Sequence, residues 1–248
     1  MTDHALVDSG FPLGLVGGIG LTEVHVYAQR PTPDGALSCC PHVHAVTAEG
    51  YYVLRGAGAV EFHDLEHGFR TLELRTGQYV HFPSWVMHRL ISDGSLVILG
   101  IMANAGLAER GEARIYFGAE VDADPARFEE LMSLPRRRGL DGALERRDAA
   151  VRGYQSLMRL WHEDRPGYFA ELRRFFNFHA HAMSARKEEL LTFVQRGPQA
   201  WSEQTVRHLQ ALPSIETSAA PVQLNRTGTD SGLGMCGVLR PILSLQSF

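Results

Sequence analysis

Only three of the 248 residues are cysteine, and two of them, Cys39 and Cys40, are adjacent. Adjacent cysteines are sterically poor disulfide partners and Cys236 stands alone, so there is no disulfide framework, nor any Cys-x-x-Cys pair of the kind that binds zinc. An excess of positive charge is also missing. The formal net charge is -4 and the pI is near 6.3, which gives no general attraction to nucleic acid or to an anionic membrane. No run approaches the ~20 apolar residues that span a bilayer, and Met1-Thr2-Asp3-His4 does not lead from a basic region into an apolar stretch. These absences predict a cytoplasmic protein without nucleic-acid or membrane partners. The glycine run Val16-Gly17-Gly18-Ile19-Gly20 lacks the Gly-Lys-Ser/Thr ending of a phosphate loop and reads as a lead-in to a strand.

What is present divides by periodicity. Residues 21–30 alternate, with Val24, Val26 and Ala28 on one face and His25, Tyr27 and Gln29 on the other, and parity alone does not say which face is buried. Short strands follow at about 36–44, 49–55, 58–64, 69–74, 78–83, 87–92 and 95–102, separated by Gly, Asp and Pro signals. A further strand is expected at Ala113–Phe117, within a connecting segment. The period then becomes helical: 125–134, 141–161 with a stripe of Leu144, Val151, Tyr154, Met158 and Trp161, a third helix capped by Asp164, and a last one opened by Ser202 and stopped by Pro213. Three regions result: 1–120 as a barrel, 121–213 as helices, and 214–248 as an irregular arm closed by a short strand near Gly237 to Leu245.

Two stretches carry chemistry. In His42-Val43-His44 the strand period points both imidazoles to one side, and Glu49 can join them after a short turn. His88 follows a Pro-containing turn at Pro83, where a neighbouring strand can bring it to the same point. Three imidazoles and a carboxylate suit a first-row divalent ion with positions left for a ligand. Cys40 shares strand parity with the histidines, which would point it at the site, although a small buried thiol is the more ordinary outcome. Tyr51 shares the parity of Glu49 and would line the same cavity; His81 shares that of Tyr79 and Pro83 and can face either way. On a helix, His179 and His181 lie about 200° apart and cannot converge, so His179 reads as a core histidine. Arg136, Arg137, Arg138, Arg146 and Arg147 read as a solvated helix surface, with substrate phosphate or nucleic acid as the other uses of such a cluster.

The order His42-x-His44, Glu49, Gly56, then Gly77, Pro83, His88, resembles the two motifs of the cupin superfamily. Gly35 lies one residue too far from His42 for the first motif, Trp85 stands where the second has glycine, and Ser92 where it has asparagine. The resemblance covers about residues 20 to 105. It implies a mainly β fold, an antiparallel cupin/jelly-roll barrel followed by a helical C-terminal region, with His42, His44, Glu49 and His88 as ligands to Fe, Mn, Ni or Zn, and a homodimer. The runs Glu49–Gly56 and Pro83–Arg89 are also similar to the cupin-type glucose-6-phosphate isomerases of archaea. The leading expectation is therefore isomerisation or epimerisation of a small sugar-like hydroxy-carbonyl compound, with Tyr51 or His81 transferring protons. An iron-dependent dioxygenase is the second expectation, and a non-catalytic sensor of a small ligand or metal the third.

Overall fold

In a computed structural model of the chain, residues 12–215, 222, 224–228 and 231–242 are described. Two antiparallel sheets face each other as a cupin-like sandwich. The strands are β1 (Gly20–Val26), β2 (Leu37–Ser38), β3 (His42–His44), β4 (Glu49–Arg55), β5 (Ala57–Asp64), β6 (Gly68–Arg75), β7 (Tyr79–Phe82), β8 (Met87–Ser92), β9 (Val97–Met102), β10 (Ala113–Ile115), β11 (Gly232–Leu233) and β12 (Gly237–Pro241). One sheet runs β11-β12-β1-β9-β4-β7 and the other β10-β3-β8-β5-β6, with β2 also on β8.

Alternation along the strands sorts the side chains. Tyr51 and Val53 of β4, Phe82 of β7 and Leu90 of β8 enter the core between the sheets with Val60, Phe62 and Ile98, while Tyr52, Leu54 and Tyr79 point out to solvent. Gly56, the last glycine of the first motif, has φ +79° and a Cβ there would lie 2.6 Å from the Ser95 backbone, so the β4–β5 turn requires glycine. The outer face of the second sheet carries Val43 and Met87, and is too apolar to stay wet.

Helices cover that face. They are α1 (Ala119–Asp122), α2 (Pro125–Glu163), α3 (Arg165–Ser184), α4 (Lys187–Val194) and α5 (Ala200–Ala211). Tyr154 and Leu157 of α2 with Tyr168, Leu172, Phe175 and Phe176 of α3 bury Val43 and Met87. The two helices expected at 125–134 and 141–161 are one run broken at Gly139, whose φ of 56° and ψ of -136° are not helical. Asp124 and Asp164 cap α2 and α3 by accepting from Arg127 N and Gly167 N, each at 3.0 Å.

Three sequence expectations are corrected. The strand expected at 36–44 is interrupted between β2 and β3, so parity does not carry from Cys40 to His42. Cys39 faces the core between the sheets, whereas Cys40 packs outward on Ile115, Phe117 and Leu131. The arginine cluster is not one solvated surface either: Arg136, Arg137 and Arg138 are exposed, but Arg146 and Arg147 are buried. Arg147 pairs with Asp148 at 2.8 Å, and Arg146 donates to the backbone carbonyls of Leu233 and Gly234. Finally, β1 ends at Val26, and beyond it Tyr27 is buried with its hydroxyl donating to Gly234 O at 3.0 Å, while His25 is part-buried and pairs with Glu23. The arm's strand near Gly237 pairs antiparallel with β1, and its expected end at 243–245 lies outside the described residues.

Candidate metal centre

His42 on β3 lies directly opposite His88 on β8 in the sheet register, with His44 two residues on and Glu49 opening β4. All four side chains are buried, and one ligand atom from each lies within 4.8 Å of all the others. Their tautomers follow from their partners. Nδ1 of His42 donates to Cys40 O at 2.9 Å and Nδ1 of His88 to Val86 O at 3.0 Å, and a carbonyl can only accept. Nδ1 of His44 donates to the Glu112 carboxylate. In the neutral rings, each Nε2 is therefore a bare lone pair.

Those lone pairs face one another. His42 Nε2 lies 3.0 Å from His88 Nε2, and Glu49 Oε2 lies 3.1 Å from His88 Nε2 and 3.3 Å from His44 Nε2. Acceptors at such spacings repel unless a proton or a cation lies between them. Donors held cis on one ion at ~2.1 Å are about 3 Å apart, so the observed spacings are those of adjacent corners of a coordination polyhedron. The residues fit a divalent ion.

Burial and the neighbouring His88 and His44 push the pKa of His42 well below its usual value. Burial opposes charge on His44 too, but hydrogen bonds to Glu112 and Glu49 outweigh it and push its pKa up to about 10. Glu49 is held well below the ordinary carboxylate range: burial works against its ionisation, and His44 and His88 overcome it. The cluster thus carries two carboxylates, Glu49 and Glu112, and an ion held here would displace the His44 proton.

Glu112 is the partner that the sequence did not disclose. It is fully buried, orients His44 through one oxygen, and accepts from Ala45 N at 2.9 Å and Val46 N at 3.2 Å through the other. Its own carbonyl accepts from His179 Nε2 at 2.7 Å, so His179 is a core histidine that steadies the backbone carrying Glu112. The signal was the strand beginning at Ala113, which pairs with His44, but only the fold reveals that pairing.

Tyr51 is brought to the cluster and His81 is not. The Tyr51 ring lies 6.1 Å from that of His88, and its hydroxyl is buried with no hydrogen-bond partner among the described residues. Burial and Glu49 keep its pKa well above the ordinary value, so it stays protonated, able to donate a hydrogen bond but not to act as a base. His81 alternates with Phe82 onto the outer face of β7, where it is exposed and stacked 5.6 Å from Tyr79. A residue distant in sequence, Cys236, places its Sγ 3.3 Å from His42 Nε2.

Residues 32–102 match the cupin domain. The cupin match spans β2 through β9 and so includes all four clustered residues, and it supports the cupin superfamily for this part of the chain. No curated protein matches the chain. Among solved structures, a cupin protein from Bacteroides fragilis is 20% identical over 36% of this chain and 68% of its own, with a TM-score of 0.28. A variant of oxalate decarboxylase from B. subtilis is 17% identical over 42% of this chain and 25% of its own, TM-score 0.32. The capsular polysaccharide assembling protein CapF of Staphylococcus aureus is 16% identical over 34% and 22%, TM-score 0.25. The chain spans about a quarter of the last two. None of these partial likenesses bears on what the chain does.

Proposed function

We propose that the chain is a metal-dependent enzyme acting on a small oxygenated substrate, with His42, His44, Glu49 and His88 holding the ion. The observation that carries this is the convergence of three imidazole Nε2 atoms and one carboxylate oxygen, with nearest spacings of 3.0–3.3 Å. When bound, such an ion polarises a coordinated oxygen and, if it is iron, can take substrate and dioxygen in adjacent positions. The chain supplies the remainder. Glu112 fixes His44, the Tyr51 hydroxyl donates to a substrate oxygen, and Phe62 and Phe82 keep the core side dry. His44 and Glu49 are 5% and 6% exposed while His42 and His88 are sealed, which makes the β3–β4 turn the side from which a ligand approaches.

Between the reactions this ligand set serves, an iron-dependent oxygenation is favoured. Isomerisation of a hydroxy-carbonyl compound needs a base to take a proton from carbon. Tyr51 stays protonated, and His81 lies on the outside. Isomerisation is the second reading, resting on the Tyr51 donor and on the likeness of the 49–56 and 83–89 runs to the archaeal isomerases. A sensor is the third.

The test is elemental analysis of untagged protein purified without added metal, followed by oxygen-uptake assays on small hydroxy acids and diols and by isomerisation assays on small sugars. Oxygen uptake lost in His88→Ala supports the leading reading. Isomerisation without uptake moves it to the second, bound metal with neither activity moves it to the third, and no metal under any loading condition rejects both enzyme readings and leaves a barrel that binds a small ligand. The homodimer is proposed on the exposed Tyr52, Leu54, Leu72 and Tyr79 of the sheet surfaces, and a cytoplasmic location on three free cysteines. Among the described residues no helix is long and apolar enough to cross a membrane.

A further inference from the structure

Two strands adjacent in sequence, β6 and β7, form the free edges of different sheets, and the sandwich gapes between them. In the β5–β6 register Leu74 pairs with Gly58, Leu72 with Val60 and Arg70 with Phe62. Directly paired residues share a face, and Val60, Phe62 and Leu74 belong to the core between the sheets, so Leu72 and Arg70 are on the inner face as well. Yet Leu72 is 45% exposed. The space in front of it is a cleft of about 380 Å³, floored by Phe62, Phe82 and Val86. A second hollow of about 600 Å³, walled by Trp85 and Phe176, meets it at Arg70, Pro83 and Val86. Both volumes are those of small-molecule sites.

The charge in the smaller cleft has one sign. No acidic side chain lines it, and Arg70 is its one arginine or lysine; the carboxylates of Asp64 and Glu66 line the larger hollow and not the smaller. Arg70 is also held in place. Its Nη2 donates to Asp64, whose carboxylate is fixed in turn by the backbone N–H groups of Glu66 at 2.8 Å and His67 at 2.7 Å. Nε and Nη1 of Arg70 have no partner among the described residues. One nitrogen is thus anchored, and the other two keep N–H groups for a second acceptor. The floor of the cleft is one side-chain layer from the four-residue cluster, with the Phe82 ring 4.6 Å from that of His88.

We propose that this cleft is a second binding site, for a small apolar carboxylate. The anionic end of the ligand takes the free N–H groups of Arg70, and its aromatic or branched body covers Phe62, Phe82, Val86 and the exposed flank of Leu72. An amine is excluded by like charge, and a neutral compound of the same shape forgoes the charge-assisted hydrogen bonds, which are the strong ones. No residue of the cluster lines the cleft, so the site does not depend on the ion.

The probe is 2-naphthoate, titrated calorimetrically into the full chain, with 2-naphthamide as its neutral counterpart. Saturable binding of one naphthoate per chain is expected with a Kd of roughly 1 mM or below, and binding of the amide about tenfold weaker. The comparison of acid with amide uses the wild type alone and so does not rest on a variant that folds. Arg70→Gln should weaken naphthoate about tenfold and leave the amide unchanged, whereas Leu72→Trp, which fills the cleft from an exposed position, should exclude both. Because a carboxylate can also bind a metal ion, the titration is repeated with a chelator. An unchanged Kd is expected; binding lost with the chelator assigns naphthoate to the ion and overturns the cleft. Amide binding as tight as the acid, or naphthoate binding undiminished in Arg70→Gln or Leu72→Trp, overturns it too. No saturable binding at all leaves Arg70 as a charge that protects a sheet edge and overturns the proposal.

Discussion

At the scale of single residues, the centre is a matter of which atom each side chain leaves free. Glu112 touches no ion, but it fixes the tautomer of His44. Glu112→Gln keeps the shape and loses the acceptor charge, so metal affinity should fall 10–100-fold while the circular dichroism spectrum is unchanged; competition with a chromophoric chelator measures it. His44→Ala and His88→Ala should lose nearly all bound metal by elemental analysis, whereas His179→Ala, which steadies only a backbone carbonyl, should retain it. Equal loss in all three would refute the ligand assignment. His42, His44 and Glu49 were legible because strand parity and short spacing act locally, and His88, 46 positions from His42, because it closes the second of the two cupin-like motifs. Glu112 and Cys236 were not, because they reach His44 and His42 across 68 and 194 positions of sequence. Cys40 misled for the opposite reason: parity was carried across residues 39–41, where no strand runs. Trp85, which stands in a glycine's place, keeps the glycine's geometry with φ 62°, at a cost of roughly 1–2 kcal/mol, and sets its ring against Phe176 and His179.

At the scale of elements, α2 and α3 are held to the second sheet by contacts that tolerate little change. Gly153 of α2 lets the helix backbone touch the Phe117–Gly118 segment, and a Cβ there would lie 2.2 Å from Phe117 O. Gly153→Ala should cost about 1–3 kcal/mol, read as a lower urea midpoint with an unchanged slope. A buried relay crosses the same interface. Tyr154 donates to Glu61 Oε2 at 2.9 Å and so accepts from His63 Nε2–H at 2.8 Å, which leaves His63 Nδ1 to accept from Tyr168 at 2.9 Å. The relay needs a neutral imidazole, and burial together with Arg89 pushes the pKa of His63 down to about 3. The unfolded chain takes up this proton near pH 6.5 and the folded chain does not. Stability from this group is therefore complete above about pH 6.5 and is lost as the pH falls toward 3, at up to roughly 1.4 kcal/mol per unit. Melting curves between pH 7 and 4.5 should show a shallower acid loss in His63→Asn than in the wild type. The helices were legible from their stripes and from the Asp164 cap. The burial of Arg146 and Arg147 was not, because a charged run says nothing of which strand or loop will cover it.

At the scale of the whole molecule, an ion that binds only the folded chain adds stability by mass action. At a free concentration 100-fold above its dissociation constant the gain is about 2.7 kcal/mol, or roughly 5–10 °C in melting temperature for a chain of this size. Scanning calorimetry with and without a chelator should show that shift in the wild type and none in His44→Ala; a shift of equal size in both would place the ion elsewhere. The sheet order adds a consequence of its own. β1 is flanked by β9 on one side and by β12 on the other, and β12 follows β1 by more than 200 positions of sequence. Until residue 241 has cleared the exit tunnel, the β1 edge has no strand to pair with and stays open to other nascent chains. The hairpin that covers it therefore also decides when, during synthesis, the first strand stops being a hazard.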